Sequence, residues 1–451
     1  MSSRQLSTPT GAAWAGIAGA ILTLSCSNPG RGVIRLPASN LRHVPTASAN
    51  STRDWVLDVD AATDADGVMH VVWRTDSDRP HSDRIWYSHA AGDRSDWSQP
   101  VPIDSSSAQM ARVAVTDSQV HLVVSERLRH LAARRGTAIW RDEGVIARPT
   151  ESVQSYDVIG FGTQLVVVYL AYCSPDSEPP SEGMTAKLVA AEIDEGRPIV
   201  YRDLAILQDV EGRLTAGPRL ARWRDELHVI CGTGVMDTVR TGDTRVAEAY
   251  QSTAGAPWMA PRPRLFEAYR VTPGGAWTSP KDLLPQEFGA SIRELSMVAT
   301  KDRLFVIYER SGFEASESTD GRNWSAPVKL GSPLQWRTSE TGRNLVASSD
   351  SDAVVVAWID RRFDWEQYVP NLGSNPGLHT DVLAIQSTGH PATLASLVVS
   401  PITRVTPESG PVMGVVARSG DGRHEIVWIE GLPPTRAPEI GVARLLDDTR
   451  R

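Results

Sequence analysis

One short apolar run recurs seven times along the chain, and no other feature constrains the fold as much. It reads Met69-His70-Val71-Val72-Trp73, Val120-His121-Leu122-Val123-Val124, Leu165-Val166-Val167-Val168-Tyr169, Leu227-His228-Val229-Ile230-Cys231, Leu304-Phe305-Val306-Ile307-Tyr308, Val354-Val355-Val356-Ala357-Trp358 and His424-Glu425-Ile426-Val427-Trp428. Turn chemistry precedes every copy, at Asp66-Gly67, Asp117-Ser118, Gly162-Thr163, Asp225, Asp302, Asp352 and Asp421-Gly422. β-Branched and aromatic side chains suit a pleated surface, whereas Gly, Asp and Ser accept tight backbone turns. Each run therefore reads as the second strand of a hairpin, with first strands upstream at 112–116, 295–300, 345–348 and 412–417. Third and fourth stretches follow, most clearly at 313–318 and 324–330.

Four-stranded units recurring 45 to 77 residues apart cannot bury both faces until neighbours stack on them. Long, unequal units disfavour a solenoid, and two separate sandwiches would not explain one recurring hairpin. The expected fold is all-β: a β-propeller of four-stranded antiparallel blades, seven favoured and six the alternative, with the ring closed by an N-terminal strand. Residues 51–448 form the expected propeller domain, and a hydrophobic fraction of 41% supplies its core.

The turn Ser318-Thr319-Asp320-Gly321-Arg322-Asn323-Trp324 resembles the Asp box of sialidases and related propellers. The resemblance implies that Ser318, Asp320 and Gly321 shape a turn between a blade's third and fourth strands while Trp324 packs inward. Weaker relatives occupy the same place at 88–97 and 272–277, and Trp140 stands there without the following Pro. Seven runs depart from sialidases, which have six blades. Ile34-Arg35-Leu36-Pro37 resembles the Phe-Arg-Ile-Pro motif that carries a carboxylate-binding arginine in that family. The competing reading makes 32–37 the fourth strand of the last blade, and that structural role is the favoured one.

Residues 1–25 read as an export signal, with Arg4 ahead of an uncharged, mostly apolar stretch at 11–24 that is too short to span a bilayer. Leu22-Thr23-Leu24-Ser25-Cys26 resembles a bacterial lipobox, which makes Cys26 the expected lipidation site and 26–50 a lipid-anchored tether that can also supply the closing strand. Outer-membrane attachment is then expected, and ordinary cleavage to a periplasmic or secreted protein is the alternative. In an oxidising compartment Cys173 and Cys231 can form a disulfide or remain two buried thiols. With 46 basic against 54 acidic residues the chain offers no basic run to nucleic acid, and membrane contact is expected through the anchor alone.

Strand direction alternates, so the loops after the second strands share one end of the propeller with the loops entering the first strands. The Asp-box turns lie at the other end. Charged residues gather at the former: Arg74 and Asp76, Glu126 and Arg127, Glu309 and Arg310, Asp360 and Arg361. Arg112, Arg219, Arg293 and Arg343 fall at matching distances before their runs end. A guanidinium fork suits a carboxylate, so these eight arginines are the candidate ligand-binding set. His70, His121 and His228 hold equivalent strand positions, which favours packing; no metal or other cofactor is expected.

Resemblance to sialidases implies a glycosidase in which a carboxyl acts as acid and a Tyr, assisted by a carboxylate, attacks the anomeric carbon. Asp76, Glu126, Glu309 and Asp360 are the acid and base candidates, with Tyr169, Tyr172, Tyr269 and Tyr308 as tyrosines near strand ends. Decayed Asp boxes and seven repeats instead favour a non-catalytic module that binds a carbohydrate or protein ligand at the central funnel.

Overall fold

A computed structural model describes residues 33–35, 41–44, 54–77, 84–90, 96–104, 110–125, 127–137, 139–173, 185–208, 216–239, 258–271, 275–283, 292, 294–310, 312–331, 345–350, 352–360, 381–387, 391–406, 412–420, 423–430 and 439–445. Every apolar run becomes the second strand of its own sheet, because continuous burial, on both faces of the strand, demands a neighbour on each side. Blade 1 orders Asp54–Thr63, Met69–Ser77, Arg84–Ala90 and Val101–Asp104; blade 2 orders Ala111–Val115, Gln119–Val124, Arg129–Arg134 and Trp140–Val145. Blade 3 follows with Glu151–Phe161, Gln164–Cys173, Thr185–Asp194 and Val200–Gln208, and blade 4 with Ala216–Trp223, Glu226–Val239, Trp258–Val271 and Lys281–Asp282. Blade 5 uses Glu294–Ala299, Leu304–Glu309, Phe313–Ser318 and Val328–Gly331.

The last two blades are completed from the N-terminus. Blade 7 consists of Val412–Gly420, Arg423–Glu430 and Glu439–Leu445, and its outer strand is Leu41–Val44, paired antiparallel to the third. Blade 6 consists of Leu345–Ser349, Val354–Asp360, Asp381–Gln386 and Ile402–Arg404, with Val33–Arg35 added in parallel as a fifth strand. The ring is thus closed by an N-terminal strand, but 41–44 does this rather than 32–37. The earlier segment lies on the outer edge of blade 6, with Arg35 opposite Arg404 and therefore far from the axis.

First strands of successive blades pack on one another all the way round, and Val412–Gly420 packs back on Asp54–Thr63. The result is a seven-bladed propeller with one axis. Seven apolar clusters fill the seven seams between blades. The first strand is an edge of its sheet, so its unpaired N–H groups need acceptors from the preceding blade. Acidic and hydroxyl side chains supply them: Asp58 Oδ2 accepts from Ala111 N at 3.1 Å, Asp60 Oδ2 from Val113 N at 2.9 Å, Asp157 Oδ2 from Leu220 N at 2.9 Å and Ser296 Oγ from Ala347 N at 2.9 Å. These inner-ring polar groups hold the blades together.

Candidate functional site

Register explains why the matching arginines lie at one height. Asp60, Arg112, Asp157, Arg219 and Ser296 each sit opposite the fourth residue of the apolar run in blades 1 to 5. Arg112 is 3% exposed, and its guanidinium donates to Asp58 Oδ2 at 2.8 Å and to Ala111 O at 2.7 Å. Burial works against its charge, but Asp58 and Asp60 outweigh that cost and hold it firmly protonated. Arg219 donates through Nε to Leu295 O at 2.9 Å and through an end nitrogen to Pro218 O at 2.9 Å. Both side chains, expected at the ligand, join neighbouring blades. Arg293 and Arg343 lie outside the described residues.

Among the rim candidates, Arg74 is buried opposite Asp58, while Arg310 meets Glu314 at 3.4 Å. Arg127 is exposed at the blade 2 rim in a left-handed conformation (φ 55°). Glu309 closes the second strand of blade 5 opposite Glu294 and Phe313 and is 5% exposed. Asp76 and Asp360 stand on strand ends, opposite Trp55 and Asp381, but their side chains, like Glu126 and Arg361, lie outside the described residues. Cys26 lies outside them too. Cys231 is a free, buried thiol rather than half of a disulfide with Cys173; it donates to Ala216 O at 3.7 Å, and burial pushes it up to about 12.

The tyrosines at strand ends are packed or hydrogen-bonded within the blades. Tyr169 is fully buried and its hydroxyl donates to Glu151 Oε2 at 2.8 Å; burial first, then that carboxylate, raises its pKa and keeps it neutral. Glu151 also meets Arg148 at 3.0 Å, and Arg148 meets Asp203 at 2.8 Å. This tyrosine–carboxylate pair was hidden in the sequence, because Glu151 opens a first strand and carries no motif. Tyr172 donates to Gln154 Oε1 at 2.9 Å, Tyr308 is buried in the seam between blades 4 and 5, and Tyr269 lies at the opposite end, stacked on His228.

That opposite end is built by the expected turn. Ser318 Oγ accepts from Gly321 N at 2.9 Å, and Asp320 Oδ1 accepts from Asn323 N at 2.7 Å and Arg322 N at 2.8 Å. These backbone donors hold the Asp320 carboxyl well below its ordinary range. Trp324 Nε1 donates across the seam to Glu267 Oε2 at 2.8 Å, and Arg322 pairs with Glu226 at 2.6 Å. Three equivalent histidines bond the third strand of their own blades: His70 to Tyr87 at 2.7 Å, His121 to His130 at 3.0 Å and His228 to Glu267 at 3.0 Å. Among the described residues no three His, Cys, Asp or Glu side chains gather as a metal site.

At the funnel end, among the described residues, one hairpin extends well beyond its blade. In blade 4 the second and third strands stay paired for seven positions past Gly232, from Thr233 opposite Arg264 to Val239 opposite Trp258. At ~3.3 Å per residue this arm rises on the order of 20 Å beyond the first strand.

By sequence, the chain matches no protein-family model. It matches no curated protein either. By shape it is similar to the Trypanosoma rangeli sialidase in complex with sialic acid, at 10% identity and a TM-score of 0.40, over 93% of this chain and 60% of that one. It is also similar to the GH93 α-L-arabinofuranosidase of Fusarium graminearum with arabinobiose, at 12% identity and a TM-score of 0.42, over 92% and 96% of the two chains. A third likeness is to the Penicillium chrysogenum α-L-arabinanase complexed with arabinobiose, at 10% identity and a TM-score of 0.39, covering 86% and 93%.

Proposed function

We propose that this chain is an exported, non-catalytic binding module: a rigid propeller that presents its second-to-third strand loops and the raised blade 4 hairpin to a carbohydrate or protein ligand. The observation that carries this reading is the burial, among the described candidates, of groups a glycosidase would need free. Tyr169 gives its proton to a hydrogen bond with Glu151 inside a dry seam, Arg112 is spent on Asp58, and Glu309 is 5% exposed. A nucleophilic tyrosine must be accessible and easily deprotonated; burial moves Tyr169 the other way. Arg127, exposed in the loop after the second strand of blade 2, is a charged group held out by a fixed scaffold, the usual arrangement for recognition. Cys26, as a lipid attachment in the outer membrane, would hold the module at the cell envelope.

The test pairs binding with turnover on the full-length chain. Immobilised protein is expected to retain particular glycans or a protein partner while releasing no fluorophore from α-sialosides, uronosides or α-L-arabinofuranosides. Arg127→Ala is expected to weaken retention of acidic ligands and to leave the melting temperature within about 2 °C of the parent, as for a surface change. Turnover of any of these glycosides would establish a hydrolase and overturn the reading, as would failure to retain any glycan or protein. Metabolic labelling with a fatty acid, lost in Cys26→Ala, tests the anchor.

A further inference from the structure

Among blades 1 to 5, one seam at the Asp-box end differs from the others. In blades 1, 2, 4 and 5 a tryptophan stands at the start of the fourth strand: Trp97 opposite Ala90, Trp140 opposite Ala133, Trp277 opposite Arg270, and Trp324 just after the blade 5 turn. Each reaches the preceding blade. Trp140 packs edge-on against Tyr87 at 5.1 Å, Trp277 donates to Glu192 at 3.2 Å, Trp324 donates to Glu267 at 2.8 Å, and Trp97 joins the cluster shared by blades 7 and 1. In blade 3 the same register, one step beyond the Glu192–Val200 pair, puts Ile199 opposite Ile193. The turn between them, Asp194-Glu195-Gly196-Arg197-Pro198, holds no aromatic residue. Its arginine also stays at home: Arg197 meets Asp194 of its own turn at 3.8 Å, whereas Arg135, Arg270 and Arg322 each pair with an acid of the preceding blade.

The missing indole leaves a cleft of about 190 Å³ between blades 2 and 3, lined by Thr116, His121 and His130 on one side and by Ile193, Asp194 and Ile199 on the other. A protein cavity of about 150 Å³ is enough to take up benzene. The polar end of this cleft is organised as well. Thr116 Oγ1 bonds His121 Nε2 at 3.0 Å, and His121 Nδ1 bonds His130 Nε2 at 3.0 Å. The relay ends on His130 Nδ1, for which no partner is found among the described residues. His130 lies opposite Val123, the fourth residue of its run, just as Glu267, which accepts the Trp324 N–H, lies opposite Ile230.

We propose that the cleft between blades 2 and 3 binds one small planar aromatic N-heterocycle of indole size, in the place that a turn tryptophan occupies at neighbouring seams. The ring lies between Ile193 and Ile199 on one wall and the histidine pair on the other, and its nitrogen meets His130 Nδ1. The site is on the face opposite the funnel, so it is independent of the ligand proposed there.

Indole, and indene as its isostere without the N–H, are titrated into the full-length chain by calorimetry, with thermal melts in parallel. Indole is expected to bind and raise the melting temperature, and indene to bind about fivefold more weakly, as loss of one neutral hydrogen bond of ~1 kcal/mol implies. Ile199→Trp is expected to fill the cleft and weaken indole at least tenfold, whereas Ile199→Val retains it. His130→Leu tests the same site without adding bulk: indole is expected to fall to the affinity of indene. Absence of indole uptake by the parent chain, undiminished uptake by Ile199→Trp, or equal affinity for indole and indene would each overturn the proposal. So would Zn²⁺ binding lost in His121→Ala by a chain that ignores indole.

Discussion

Trp324 of blade 5 donates its indole N–H to Glu267 Oε2 of blade 4, and the other oxygen of that carboxylate meets Nδ1 of His228. The bond ties a surface turn to a carboxylate that is 4% exposed, so the turn is part of the seam and not merely a loop.

Trp324→Phe keeps the ring and removes the donor, leaving Glu267 with an unmet acceptor in a dry seam. It is expected to cost about 1–3 kcal/mol, as for a buried polar group that loses its partner. Urea unfolding measures this; a midpoint equal to the parent's would show that the bond does not staple the blades.

Arg112 and Asp58 form the corresponding pair near the axis, at 2.8 Å and with both side chains buried. Arg112→Met is expected to lose about 3–5 kcal/mol because it strands a buried charge. Asp58→Asn in the same chain is expected to restore part of that loss, since the two changes share one interaction. If the arginine instead faced a ligand, Arg112→Met would leave unfolding unchanged and reduce only retention.

Gly321 turns the chain with φ 66°, and a Cβ there would stand 2.9 Å from His228 Cε1 and 3.0 Å from Trp223 Cζ3. Gly321→Ala therefore combines a left-handed backbone cost of about 1–2 kcal/mol with displacement of two packed rings. A drop in melting temperature of several degrees is expected; an unchanged melt would remove the conformational role assigned to this glycine.

Burial lowers His121 to about 3, assisted by His130, and lowers His70 and His130 to about 4. In the unfolded chain each takes up a proton near its ordinary value of about 6.5, while the folded chain does not. Their contribution is therefore intact above about pH 6.5 and drains as pH falls toward the folded values, by about 1.4 kcal/mol per pH unit for each histidine. The urea midpoint is expected to fall steadily from pH 7.5 to 5, and His121→Asn is expected to shallow that slope by about one proton. A flat midpoint over this range would contradict the buried neutral histidines.

Much of the architecture was legible because strand and turn chemistry are local. Seven β-branched runs behind Asp and Gly turns are enough to count blades, and Ser318, Asp320 and Gly321 bond within one turn. The role of Arg112 was not legible, since spacing told its height but its partner lies 54 positions earlier in another blade. A closing strand within 26–50 is legible, but 32–37 and 41–44 are not told apart as its position, because 33–35 and 41–44 are both short and extended and their apolar content does not say which blade has the open edge.

Residue order alone settled how many hairpins the chain makes and where each one turns, since those preferences act over a handful of neighbouring positions. Which polar groups would be buried, and against what, was settled only when seven sheets met around one axis. Closure turned Asp58, Arg112 and Glu267 into seam bonds and left the place of one tryptophan open beside His130. Such pairings depend on which surfaces lose water together, and that is a property of the assembled ring, not of any segment within it.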